Sequence, residues 1–129
     1  MPHLIVEYSA NLEDLVDMAE FCNHLRKTAV KIKAFPAAGV RVRAHAAHHY
    51  SIADGNPKHG FVDISIRLRG GRAPDAKKDA TQRIFEAAHS FLEPVMAKHP
   101  VALSLEMRDI DPDLSPKAGT IRDHLETSK

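Results

Sequence analysis

Three groups of side chains in this sequence are of a type and spacing that could do chemistry. The first is a single residue, Pro2, directly behind Met1. A small second residue lets an initiator methionine be removed, which would leave the Pro2 nitrogen as a free secondary amine. A chain terminus titrates at about 7.7 to 8.0, and a prolyl nitrogen is intrinsically more basic than that reference. Burial and nearby cations both disfavour the ammonium form and draw the value toward neutrality. A base near working pH suits proton transfer, which contributes typically about 10² to 10⁴-fold. The plainer alternative is that Pro2 only permits methionine removal and starts a strand, where its missing N–H is tolerated.

The second group is Arg41, Arg43 and Arg72. Arg41 and Arg43 alternate on one face of a strand-like run, and Arg72 lies in "GRAPD", where a strand hands over to a helix whose first amides favour anions. Guanidinium forks match carboxylates bidentately. The alternative is a solvated charged strand face plus a surface turn, and convergence of all three would decide between the two. The third group is "HAAHHY", with His45, His48 and His49. It lacks accompanying cysteines, the HExxH spacing and a helix to hold it, so solvated loop histidines are expected and no metal. "RGGRAPD" lacks the lysine and following Ser or Thr of a phosphate loop, which argues against nucleotide chemistry.

Composition narrows the partners. With 18 Lys and Arg against 17 Asp and Glu, the net charge of +1 gives no general basic field for nucleic acid, so positive charge must act locally. One cysteine, Cys22, excludes an internal disulfide and fits a reducing cytoplasm, with a buried packing role in an apolar helical pattern. No basic-then-apolar leader and no apolar run near the roughly 18 residues of a membrane span is expected here. A soluble cytoplasmic protein with no membrane partner is the expectation.

Those groups need elements to position them. Residues 4–8 alternate, Leu4, Val6 and Tyr8 against Ile5 and Glu7, as a strand does. Behind Asn11 as a plausible N-cap, Leu12, Leu15, Val16, Ala19, Cys22 and Leu25 recur at helical spacing. After the turn in "FPAAG", Val40, Val42 and Ala44 alternate with Arg41, Arg43 and His45 in a second strand, and "SIADGNPKHG" is loop chemistry. The second half repeats the order. Val62, Ile64, Ile66 and Leu68 mark a third strand. A helix starts near Pro74 with Ala80, Ile84, Ala88, Phe91, Leu92 and Val95 as its stripe, and Pro94 should kink or tighten it. Val101, Leu103, Leu105 and Met107 mark a fourth strand.

The chain of 129 residues therefore reads as one α+β domain over 1–129, an internal repeat of β-α-β units over 1–59 and 60–110 with a polar tail at 111–129. Right-handed crossovers give a four-stranded sheet with two helices on one face. A short helix is expected around 121–126. Ile5, opposite Leu4 and Val6, suggests burial on the second sheet face, hence oligomerisation through the sheets, with the tail covering an edge or reaching a neighbouring subunit.

"MPHLIVEYS", "FPAAGVRVRAH", "ADG", "GGR" and "ALSLE", in this order over nearly the whole chain, resemble the 5-carboxymethyl-2-hydroxymuconate isomerase family of the tautomerase superfamily. The resemblance implies a tautomerase-like homotrimer of β-α-β-β-α-β chains, each mimicking two subunits of a short 4-oxalocrotonate tautomerase. It implies Pro2 as the catalytic residue, Arg41 and Arg72 as carboxylate binders, and Arg43 as a weaker match. The implied substrate is a tricarboxylate dienol of homoprotocatechuate (4-hydroxyphenylacetate) degradation, isomerised without a cofactor. The third strand starts inside the chain with no free amine, so one active centre per chain follows. "HAAHHY" and the tail after Asp109 go beyond the resemblance. Two alternatives remain open: a tautomerase acting on a related dienol or an aryl pyruvate, and a non-enzymatic ferredoxin-like ligand-binding module, which needs no free N-terminus.

Overall fold

The structure, a computed structural model, describes residues 1–125. In chain order the elements are β1 (His3–Ser9), α1 (Met18–Ala29), β2 (Arg41–Ala47), β3 (Gly60–Arg69), α2 (Pro74–Met96) and β4 (Val101–Ile110), with short 3-10 turns between and after them. The sheet order is β2-β1-β3-β4. β1 runs parallel to β2 and β3 parallel to β4, while β1 and β3 are antiparallel at the centre. Two β-α-β units thus meet back to back, the expected α+β arrangement.

Alternation decides which face is which. Leu4, Val6 and Tyr8 stand opposite Ile66, Ile64 and Val62, and all six are buried. Against this face α1 lays Phe21, Leu25 and Ala29, and α2 lays Ala80, Ile84, Ala88 and Leu92. The helices also touch each other, with the Phe21 and Phe91 rings 5.3 Å apart. Both helices therefore cover one face of the sheet. Phe21 is fully buried at the junction of sheet and helices, so Phe21→Ala is expected to destabilise the fold by about 3–5 kcal/mol, read from denaturant unfolding. A loss under about 1 kcal/mol would show that this junction is not tightly packed.

The first helix departs from the sequence expectation. Asn11 is not its N-cap: its side-chain amide donates to the carbonyls of Pro57 and His59, tying the first turn to the later loop. A 3-10 turn (Ala10–Leu12) comes first, and α1 starts six residues after Asn11's neighbour Leu12, capped by Asp17, whose carboxylate accepts from the Glu20 N–H. Leu12 and Val16 are buried from the loop, Leu15 and Ala19 are exposed, and Phe21 takes the inward position. Tyr8 helps fix this connection by donating its hydroxyl to Glu13. That bond, then burial, pushes the phenol pKa up to about 12 and keeps it neutral. Cys22 is half-buried rather than buried, and its burial pushes the thiol pKa up.

α2 starts at Pro74 as expected and runs through Pro94 to Met96. Beyond Pro94 the chain tightens, with the Lys98 N–H reaching the Val95 carbonyl three residues back at 3.1 Å. The second sheet face is half-open and mixed: Ile5 and Phe61 are half-buried among polar side chains, while Glu7, His45, Glu106 and Arg108 are exposed. In the tail, 3-10 turns form at Pro112–Leu114 and Ile121–His124. The end of the helix expected over 121–126 lies outside the described residues.

Candidate active site

Pro2 is almost completely buried where β1 enters the sheet. Its carbonyl accepts the Arg41 N–H at 3.1 Å, so the first residue of β2 pins it. Gly39, in the turn before β2, makes room for its ring: a Cβ there would lie 3.2 Å from Pro2 Cδ and 3.3 Å from Met1 Cα. Gly39→Val is therefore expected to displace Pro2 by a few tenths of an ångström and to lower turnover about tenfold or more. Steady-state kinetics beside a melting curve checks this, and unchanged turnover would mean the position of Pro2 is not critical.

Two cavities flank the N-terminal end. One of about 300 Å³ is bounded by Met1, Gly39, Arg41, Lys117, Ile121 and Arg122, among others. The other, about 160 Å³, has Met1, His3, Arg67, Arg69, Ser115 and Lys117 in its wall. Met1 and Lys117 belong to both, so the methionine stands as a wedge between them. The Arg41 guanidinium lies against the Met1 sulfur. Among the described residues no carboxylate lines either cavity.

Electrostatics follow from this crowd of cations. The Met1 ammonium is held below the usual 8.0, first by burial and then by Lys117, Arg72, Arg69 and Arg41. His3 is likewise pulled down by burial and by Arg43, Arg67 and Arg41, so its neutral ring can accept from the Arg43 Nη1 at 3.2 Å. An amine in this place is biased toward the neutral, proton-accepting form.

The arginines do not converge equally. Arg41 reaches the larger cavity. Arg43, two residues on and on the same strand face, faces His3 and lines neither cavity. Arg72 lies close enough to act on the terminal amine but is anchored: its Nε donates to the Ala34 carbonyl at 3.1 Å and its Nη1 to that of Arg69 at 3.0 Å. Gly71, at φ +108, makes the turn that places it. Pro2, Arg41 and Arg72 thus gather at one end of the sheet.

The histidines sit elsewhere. His45 is exposed on β2, and His48 and His49 border a separate cavity of about 400 Å³ with Tyr50 and His59. His59 is paired with Asp54 at 2.7 Å. Among the described residues no group of three or more His, Cys, Asp or Glu could hold a metal ion. Nor, among them, is any helix long and apolar enough to cross a membrane. Sequence reasoning missed Lys117 and Arg122, because the tail has no periodicity to place them. Their only signal was two cations in a Pro- and Gly-punctuated segment following the last strand.

The buried residue-2 proline and the basic cavities stand on a sheet of two β-α-β units, and this is a tautomerase-type fold. A fused 4-OT symmetric trimer has this fold, with a TM-score of 0.64 and 18% identity over 91% of this chain and 92% of that one. More specifically, the chain belongs to the 5-carboxymethyl-2-hydroxymuconate isomerase family, which it matches over residues 2–125. It is 28% identical over 121 residues to 5-carboxymethyl-2-hydroxymuconate Delta-isomerase of Escherichia coli, covering 94% of this chain and 96% of that protein. A crystal structure of a 5-carboxymethyl-2-hydroxymuconate delta-isomerase superposes with a TM-score of 0.90 at 29% identity, over 96% of this chain and 92% of that one. The corresponding isomerase from Deinococcus radiodurans R1 gives a TM-score of 0.88 at 26% identity, over 95% and 92%.

Proposed function

We propose that this chain ketonises 5-carboxymethyl-2-hydroxymuconate in the cytoplasm, in homoprotocatechuate degradation, with the Pro2 nitrogen as the proton carrier. Met1 is removed first, which frees the amine and clears the wedge between the two cavities. The neutral nitrogen takes the proton of the 2-hydroxyl. As the C2–O bond gains double-bond character the two conjugated double bonds shift, and the nitrogen returns the proton at carbon 5. No electrons are transferred and the reaction needs no cofactor. Arg41, at the larger cavity, holds a substrate carboxylate and polarises the oxygen, Arg72 adds positive charge from its anchored place nearby, and Arg43, turned to His3, contributes least.

The observation that carries this reading is the placement of a buried Pro2, pinned through its carbonyl by the Arg41 N–H, next to cavities lined by Arg41, Arg122, Arg67, Arg69 and Lys117, where burial and cations also lower the pKa of the Met1 ammonium. Among the described residues both sheet edges, β2 and β4, lack a further strand partner, which supports assembly into a homotrimer. Light scattering coupled to size exclusion tests the assembly.

A pH profile tests the chemistry. Activity requires the neutral amine, and a depressed pKa keeps that form down to lower pH. The burial and cations that lower the Met1 ammonium also surround the adjoining Pro2 nitrogen, so the acid limb of kcat/KM is expected to have its midpoint below the ordinary value of a free prolyl amine, with activity lost as pH falls through it. A midpoint above that value, or a flat profile through the acid range, would contradict an N-terminal base.

A further inference from the structure

The geometry points to the C-terminal tail as the element that recognises the extra carboxylate of a tricarboxylate substrate, through Lys117 and Arg122. The larger cavity has one wall from the turn before β2 and β2 itself, which bring Gly39 and Arg41. Its other wall is the tail, which brings Lys117, Ile121 and Arg122. Three cations thus face a space of about 300 Å³, and among the described residues no carboxylate lines it. Among the described residues neither Lys117 nor Arg122 makes a side-chain hydrogen bond or an ion pair, whereas Arg43 and Arg72 are both engaged. Cations left unopposed around a concave surface favour an anion, and charge-assisted hydrogen bonds are the strong ones.

Placement adds to this. Lys117 belongs to both cavities, which are separated by Met1. Once the methionine is gone the two spaces join beside the proline nitrogen. A dienol whose reacting carbons lie at that nitrogen would then have one carboxylate toward Arg41 and another toward the tail. A dicarboxylate can be held by the arginines near the sheet alone, whereas a third carboxylate needs a further cation. This inference rests on the isomerase reading for its substrate class, but the anion site itself does not.

Two measurements on the Met-processed protein test it. The first is calorimetric binding of propane-1,2,3-tricarboxylate, which cannot isomerise, beside pentanedioate. The unmodified protein should prefer the tri-acid, and Lys117→Met with Arg122→Met should weaken its binding about tenfold to a hundredfold. The second is kcat/KM on the tricarboxylate dienol and on 2-hydroxymuconate. The double variant should lose about tenfold or more on the first, mostly through KM, and less than about fivefold on the second. Lys117→Arg should keep the preference.

Equal losses on both dienols, tri-acid binding unaffected by the double variant, or no tri-acid preference in the unmodified protein would each overturn the inference. Lys117-dependent tri-acid binding in a protein that turns over neither dienol would leave the tail site standing and defeat the isomerase reading. Proline-dependent turnover indifferent to the tail variants would do the reverse.

Discussion

Replacing Pro2 by alanine is expected to lower kcat/KM for ketonisation by about a hundredfold or more, within the span that general acid–base groups contribute. The folded protein should survive. The pyrrolidine ring is buried, and losing its methylenes costs about 1–2 kcal/mol, but the next inward-facing residues, Leu4 and Val6, are fully buried and keep β1 in register. Alanine also frees a primary amine, so the expected loss is of a ring-fixed, more basic nitrogen rather than of every amine. Kinetics on the processed variant, with the melting temperature alongside, checks both halves. Undiminished turnover would sink the proline mechanism.

Arg41→Ala is expected to have the second large effect, about a hundredfold in kcat/KM. Its backbone N–H still bonds the Pro2 carbonyl in the variant, so the positioning of Pro2 persists and only the guanidinium is lost. That guanidinium is the arginine fork that the sheet brings to the larger cavity and also one of the cations acting on the terminal amine. Its removal should raise KM, through a lost carboxylate contact, and lower kcat, through lost polarisation of the substrate oxygen. Lysine should rescue only in part, because an ammonium cannot reproduce the bidentate fork. Arg43→Ala gives the internal comparison: facing His3 and away from both cavities, it should cost much less. Equal effects at the two positions would contradict this division of labour.

The sequence made the sheet legible because its alternation is nearly unbroken. Val62, Ile64, Ile66 and Leu68 could only share a face, and all four are fully buried. The start of α1 was not legible, since Leu12, Leu15 and Val16 continue the helical spacing although the chain there forms a 3-10 turn and loop. Asn11 looked like a cap but serves a contact 46 to 48 residues away, and no local pattern encodes such a contact. At the site, Pro2 and Arg41 could be singled out from residue type and position. The anchoring of Arg72 by two carbonyls required the fold. So did the cationic tail, because Lys117 meets Met1 only after the chain has passed through the whole sheet.

The central claim is that a freed Pro2 nitrogen carries the proton. The most direct measurement is the ultraviolet-monitored ketonisation of 5-carboxymethyl-2-hydroxymuconate, comparing the Met-processed protein with a form whose N-terminus is blocked. Fast turnover by the processed protein, abolished by blocking, is the predicted result. Turnover that persists with the terminus blocked, or a processed protein no faster than the spontaneous reaction, would contradict it.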